Sequence, residues 1–323
     1  MARLPDPVAR LRVAVRDALA DLPRGSLVLA ACSGGPDSLA LADTLAFCAP
    51  RAGLRAGLIS VDHGLQDGSA ERAADVAAWG LGIGLDPSEA ATVRVLGSGG
   101  PEAAAREARY AALDWAAERH GARAVLLGHT RDDQAETVLL ALTRGAGPRG
   151  IAGMRAVRGR YRRPLLDIAR DDTRAACEAR GLKPWDDPHN TDPRFRRSAL
   201  RQAMGVLTGT LGDDIVANLA RTAALVAADT DLLDAEAEGA YGGCVEDGSL
   251  SVERLAALPA PIRQRVVRAW IFQLGVNGAD LNHRHLDALE ALVTAWHGQG
   301  PTFLPGGVAV RRHRGAITAE RPS

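Results

Sequence analysis

The chain is most constrained by one passage. An apolar run, Leu27 to Ala31, leads into Ser33-Gly34-Gly35-Pro36-Asp37-Ser38, after which Leu39, Leu41, Leu45 and Phe47 suggest a helix. A strand that turns through glycines into a helix aims backbone N–H groups and the positive end of the helix dipole at one point. The two glycines permit close backbone approach, and the hydroxyls of Ser33 and Ser38 add donors. On physical grounds this is a phosphate site, with a plain tight turn as the bland alternative. It is not a Walker loop, which requires Gly-Lys-Ser/Thr: Lys183 is the only lysine, and it stands between Leu182 and Pro184. Gly80-Leu81-Gly82-Ile83-Gly84 lacks the third spaced glycine of a dinucleotide fingerprint and follows a helix, so it reads as a connector.

The strand and helix alternation continues. Val8, Leu11, Val15, Leu19 and Leu22 give an opening amphipathic helix closed by Pro23 and Gly25. Strands are predicted over 54–61, 92–96 and 124–127, with helices over 69–81, 102–119 and 132–142. This is the pattern of an α/β fold, a doubly wound parallel sheet whose ligands sit beyond the carboxyl ends of its strands. After a glycine-rich passage from Gly145, a last strand is predicted over 163–166 and a helix over 169–180, capped by Gly181. Residues 183–196 hold three prolines and no apolar period, as in a long loop. Two helices follow, and Gly239 to Ser249 is the best linker. The remainder is a smaller, mainly helical domain ending in two strands about Gly306-Gly307. The expected division is 1–207 and 208–323.

Composition limits the partners. With 39 Lys+Arg against 39 Asp+Glu, the formal charge of this 323-residue chain is zero. A protein that coats nucleic acid indiscriminately needs a positive surplus, so any polyanion must meet a local patch. Three basic runs offer one: Arg155, Arg158, Arg160, Arg162 and Arg163; Arg194, Arg196, Arg197 and Arg201; and Arg311, Arg312, His313 and Arg314. Cys32, Cys48, Cys177 and Cys244 lie far apart without zinc-like spacing and read as reduced and packed, as expected in the cytoplasm. Charges every few residues from Met1 to Arg24 exclude a signal peptide, and no apolar run approaches a membrane span. His283 and His285 have no carboxylate or cysteine at a ligand spacing, so a metal is not expected there.

S-G-G-x-D-S after a first buried strand resembles the pyrophosphate loop of N-type ATP pyrophosphatases. That resemblance implies that Ser33, Gly34, Gly35, Pro36, Asp37 and Ser38 bind ATP, with Asp37 organising Mg2+. Further motifs select within the superfamily: Val61-Asp62-His63-Gly64-Leu65, Ala105-Arg106-Glu107-Ala108-Arg109-Tyr110, and Gly128-His129-Thr130-Arg131-Asp132-Asp133-Gln134-Ala135-Glu136-Thr137. Arg163-Pro164-Leu165-Leu166 and Asp187-Pro188-His189-Asn190-Thr191-Asp192 with Phe195, Arg197 and Arg201 complete the set. Together they resemble tRNA(Ile)-lysidine synthetases over roughly residues 25 to 205. Ser198 departs from the usual asparagine, and Gln66 from a common arginine.

The resemblance implies an enzyme that adenylates carbon 2 of the wobble cytidine in CAU-anticodon tRNA(Ile). The ε-amine of free L-lysine then attacks, and AMP leaves. Asp62, His63, Arg106 and His129 are then further ATP contacts, Asp132 supports metal or ATP, and Asp133 with Glu136 binds lysine. Asp133 and Glu136 suit this, since i, i+3 carboxylates share one helix face; an acidic helix start favoured by the dipole is the structural alternative. Arg106 is the expected phosphate contact, and Arg197 would stabilise the adenylated intermediate or join Arg194, Arg196 and Arg201 on the tRNA backbone. A tRNA thiolase typically needs paired cysteines, and a small-molecule amide synthetase has no use for a basic second domain. A non-catalytic tRNA-binding paralogue would tolerate loss of Asp37 or Glu136, and both are present. By the same resemblance, 1–207 is the catalytic domain and 208–323 a short tRNA-recognition domain. A homodimer is left open.

Overall fold

The computed structural model describes residues 6–64, 68–93, 101–185, 196–278 and 280–321, of which 101–103, 196 and 197 are described by their backbone alone. It divides into two compact units, Met1–Ala227 and Ala228–Ser323.

In the first unit, β1 (Leu27–Ala31), β2 (Arg55–Asp62), β3 (Ser88–Thr92) and β4 (Ala122–Leu127) form a parallel sheet, extended by β6 (Tyr161–Arg162) and the antiparallel β5 (Val157–Arg158). The spatial order is β3-β2-β1-β4-β6-β5. Strands are buried on both faces because their side chains alternate between two apolar layers. Val28, Ala30, Ala124 and Leu126 pack with α1 (Asp6–Leu19), α2 (Pro36–Arg51) and α7 (Arg170–Arg180). Leu29, Ala31, Val125 and Leu127 pack on the opposite layer with Leu113, Ala116 and Ala117 of α4 (Pro101–His120). The chain runs from β1 outward to β3, then crosses to β4 on the other side of β1. Such a reversal opens a crevice at the carboxyl ends of the two central strands. The glycine loop leaves β1 there, and Gly128-His129-Thr130 leaves β4.

Several elements differ from the predicted ones. The third strand lies at Ser88–Thr92 rather than 92–96, since Ala90 and Ala91 suffice at an edge; residues 94–96 fall outside the described residues. The final strand is Tyr161–Arg162, and residues 164–167 form a turn begun by Pro164, although Leu165 is fully buried. The proposed linker is not one. Helix α9 runs from Ile215 to Cys244 through Gly239, Gly242 and Gly243, and the chain then enters β7 (Val245–Glu246). Ala237 and Cys244 are buried in the second core, and that packing outweighs the low helix propensity of glycine.

In the second unit the helices α10 (Val252–Ala257), α11 (Ala260–Gln273) and α12 (His283–Thr294) accompany a five-stranded antiparallel sheet, of which only the two strands about Gly306-Gly307 were expected from the sequence. β8 (Ser249–Ser251), β9 (Thr302–Leu304), β10 (Val308–His313) and β11 (Ala316–Glu320) join β7 in the order β7-β8-β11-β10-β9. Leu250, Leu304, Val308, Val310 and Ile317 face its core. His285 closes the capping box of α12, accepting the Asn282 amide at 3.3 Å, which gives this histidine a structural role.

Candidate active site

The loop after β1 is held open for an anion. Gly34 takes φ +85°, a left-handed conformation natural to glycine, and Gly35 is the N-cap of α2 with no side-chain cap bond. Pro36 at the first helical position has no N–H to lose, while the following first-turn amides have no intrahelical acceptor. Ser38 Oγ receives the Ser33 amide at 3.2 Å and donates to the Gly35 carbonyl at 3.0 Å, which fixes the loop from inside. The Trp185 amide donates to the Gly34 carbonyl at 2.9 Å. Gly128 brings β4 against this turn: a Cβ there would lie 3.2 Å from the Asp37 carbonyl and from Ser38 Cα.

Asp37 is largely withdrawn from solvent, and burial raises its pKa from 3.8 to about 6. Thr173 donates its hydroxyl to Asp37 Oδ1, and Arg170 Nε stands 3.9 Å from Oδ2. A carboxylate this costly to ionise suits a cation. Mg2+ prefers carboxylate and phosphate oxygens with retained water, so Asp37 beside a phosphate loop fits the magnesium that accompanies ATP.

The helix α5 (Arg131–Leu142) supplies the acid pair. Thr130 caps it, and the Thr130 amide and hydroxyl donate to Asp133 Oδ2 at 2.8 and 3.0 Å. The dipole alternative thus holds in part: Asp133 is a capping-box residue. Its other oxygen, Oδ1, has a separate role. Asp133 Oδ1 and Glu136 Oε1 accept Arg170 Nη2 at 2.9 and 3.0 Å, and Glu136 Oε1 also accepts Arg201 Nε at 2.9 Å. Burial works against an ionised Asp133, but Arg170 and the Thr130 amide outweigh it and lower the pKa. Burial would likewise lower Arg170, and Asp133 and Glu136 raise it instead. Glu136 is 1% exposed, and its Oε2 is buried without a partner among the described residues. Asp132 Oδ2 accepts the Arg170 amide at 2.9 Å, which ties α5 to α7.

A third group lies beyond the carboxyl ends of β2 and β4, which flank β1, and on the neighbouring α4. Asp62 Oδ1 accepts the Gly64 amide at 2.8 Å and fixes the turn that carries His63. Burial and the Arg109 charge lower the pKa of His63, and for the same reasons that of His129 to about 3. Both are neutral imidazoles at pH 7, each with a buried Nδ1 that finds no partner among the described residues. Tyr110 OH accepts Arg106 Nη2 at 3.4 Å and Arg163 Nη2 at 3.3 Å. Arg106, Arg109 and Arg163 therefore converge with little carboxylate to neutralise them, as a phosphate requires.

The basic runs fare differently. Arg160 pairs with Glu118 at 3.2 Å, Arg162 with Asp21, and Arg163 is 5% exposed, so the first run serves packing more than a free face. Arg311 pairs with Glu320 at 2.8 Å, and Arg312 bonds the Leu292 carbonyl at 2.9 Å. Arg194 and the motif from Asp187 to Asp192 lie outside the described residues, as do the side chains of Arg196 and Arg197. Arg201, read as a tRNA contact, is joined to the acid pair. Arg170 and Thr173 carried no motif in the sequence reading; two acids and a threonine around one arginine at a helix start give no periodic signal.

Residues 9–207 match the model of the PP-loop domain, and residues 250–318 that of the TilS substrate binding domain. The tRNA(Ile)-lysidine synthase of Salinispora tropica is 57% identical over 100% of this chain and 99% of its own. The chain belongs to the tRNA(Ile)-lysidine synthase family. The tRNA(Ile)-lysidine synthase of Thermobifida fusca, 54% identical over 98% of each chain, is a second relative of nearly the same extent. Among solved structures, the U34-tRNA thiolase NcsA from Methanococcus maripaludis superposes with a TM-score of 0.55 over 67% of this chain and 78% of that one. At 19% identity it shows a shared fold alone. Cys32, Cys48, Cys177 and Cys244 are each free and buried. No described helix is long and apolar enough to cross a membrane.

Proposed function

We propose that this member of the family forms lysidine: it joins L-lysine to carbon 2 of the wobble cytidine in CAU-anticodon tRNA(Ile), at the expense of ATP. The observation that carries the reading is a buried acid pair, Asp133 and Glu136, linked through Arg170 to Asp37 of the phosphate loop. One crevice thereby holds an anion site for ATP and a carboxylate site for an amine.

The loop 33–38 receives the phosphates, with Arg106, His63 and His129 completing the contacts; Asp37, supported by Asp132, would hold the Mg2+ that neutralises phosphate charge. The cytidine O2 attacks the α-phosphorus, and pyrophosphate leaves. The lysine ε-amine, its ammonium held by Asp133 and Glu136, gives up a proton to a carboxylate of the pair and forms the C–N bond as AMP departs with the former O2. Residues 208–323 serve as the recognition domain, and Arg194, Arg196, Arg197 and Arg201 as contacts to tRNA or its adenylated form. The reaction would take place in the cytoplasm, where these substrates meet.

Incubation with tRNA(Ile), MgATP and labelled lysine tests this. Label enters tRNA with C at the wobble position and not with U or G; incorporation without ATP, or none with any of them, refutes it.

A further inference from the structure

A cavity of about 410 Å³ opens beside Glu136, walled by α5, α7, α8 (Arg196–Leu211) and the start of α9. Its polar lining is unevenly satisfied. Arg170 and Arg201 are engaged by the acid pair. Arg131, by contrast, has a buried Nε and no side-chain partner among the described residues, and neither Asp171 nor Asp213 is paired there. Glu136, also in the wall, has its Oε2 buried and without a partner among the described residues. Four carboxylates, Asp132, Glu136, Asp171 and Asp213, face three guanidiniums, Arg131, Arg170 and Arg201, so the lining carries one negative charge in excess.

Free lysine is the complement of that inventory: two ammonium groups, one carboxylate and a net charge of +1. Spacing agrees. Arg131 and Glu136 lie five residues apart on α5, a rise of about 7.5 Å, the scale of an extended lysine from its carboxylate end to its amine. A buried guanidinium Nε without a partner is costly and a buried carboxylate oxygen without one likewise, so a ligand that satisfies both ends at once is favoured over one that satisfies either.

We propose that Arg131 holds the α-carboxylate of free lysine, and Asp171 with Asp213 its α-ammonium, while the side-chain amine faces Glu136. This rests on the proposed function for the identity of the amine and adds how the rest of the amino acid is recognised. Arg131 would thus be what separates lysine from a plain diamine.

Calorimetric titration of the full chain, without tRNA, reads the pocket independently of turnover. Three probes suffice: L-lysine, 1,5-diaminopentane, which lacks the carboxylate, and 6-aminohexanoate, which lacks the α-amine. The wild type should prefer lysine over either by about tenfold to a hundredfold, the scale of one charge-assisted hydrogen bond. Arg131→Gln should bind lysine and diaminopentane alike, and Asp171→Asn with Asp213→Asn should bind lysine and 6-aminohexanoate alike. Arg131→Lys, which keeps the charge, should restore part of the preference; circular dichroism confirms folding. Retained discrimination in Arg131→Gln, or none in the wild type, overturns the proposal. If the preferences behave as stated but lysine never enters tRNA, the pocket assignment stands and the proposed function fails.

Discussion

Asp37 should stabilise the protein when it is neutralised, although it is essential when it works. Its pKa rises from 3.8 to about 6 because the folded chain removes it from water. The two values differ by about 2 units, and each unit corresponds to about 1.4 kcal/mol, so holding Asp37 ionised at pH 7 costs up to about 3 kcal/mol. Solvent still reaches 23% of the side chain, which brings the expected figure to about 1–3 kcal/mol. The sign follows from the direction of the shift. Below pH 3.8 the group is protonated in both states and costs nothing. Between 3.8 and 6 the unfolded chain releases the proton that the folded chain keeps, so stability falls as pH rises. Above about 6 the full penalty is present.

Asp37→Asn removes the penalty and retains an oxygen to accept the Thr173 hydroxyl. Urea unfolding of the free protein at pH 5, 6, 7 and 8 should show the variant more stable by about 1–3 kcal/mol at pH 7 and 8, with a gap that narrows toward pH 5. MgATP should raise the midpoint of the wild type much more than that of the variant, because a ligand stabilises in proportion to its affinity for the folded state. Pyrophosphate release should fall by about a hundredfold or more, as when one charge-stabilising contact is lost. A variant less stable than the wild type at pH 8, by a margin independent of pH, would refute the reasoning; so would near-normal pyrophosphate release.

The other perturbations separate the two halves of the site. Glu136→Gln should raise the lysine KM about tenfold or more and slow lysine transfer while leaving lysine-independent adenylation of tRNA near normal; loss of adenylation would move Glu136 to the ATP half. Gly128→Ala places a methyl 3.2 Å from the backbone of Asp37 and should cost about 1–3 kcal/mol by overpacking, with a several-fold higher ATP KM; an unchanged ATP KM would show that β4 does not set the loop. If Arg194, Arg196 and Arg197 each neutralise a phosphate, tRNA binding should weaken about 30-fold between 50 and 200 mM salt and ATP binding far less; equal salt dependence would discount them.

What the sequence shows of this molecule is what local chemistry determines. The loop 33–38 and the α5 start are legible because glycine, serine and aspartate at a strand-to-helix turn permit few alternatives. Gly181 was legible as a cap for the same reason, and it takes φ +65° in the left-handed region. Arg170 was not. Its importance depends on α7 packing across α2, which brings Thr173 to Asp37 and the Arg170 amide to Asp132. Three sequence-distant segments meet there, and no periodicity or short motif encodes a meeting of that kind. The helix through Gly239, Gly242 and Gly243 misleads in the opposite direction: local propensity favours a linker, and the burial of Ala237 and Cys244 overrides it. The antiparallel sheet of the second unit is hidden for a third reason, since β7 and β8 are two and three residues long and carry almost no alternation.

The arginines around the acid pair bear on how an amine can be used here at all. Two buried carboxylates side by side would repel and take up protons, which would leave a poor site for an ammonium. Arg170 and Arg201 help lower the pKa of Asp133 against its burial, and they occupy only Asp133 Oδ1 and Glu136 Oε1, so Glu136 Oε2 keeps no partner among the described residues. A lysine in either position would also supply charge, but it would bring a second primary amine, able to lose its proton and compete for the same electrophile. A guanidinium does neither, because it stays protonated at any working pH. Lys183, the chain's one lysine, lines a different cavity with Gly34, Trp79 and Trp185. Substituting Arg170 or Arg201 by lysine should therefore be harsher than charge alone implies. The short ammonium loses the fork that spans both carboxylates, and whatever amine reaches the acids from the chain excludes the one from solution.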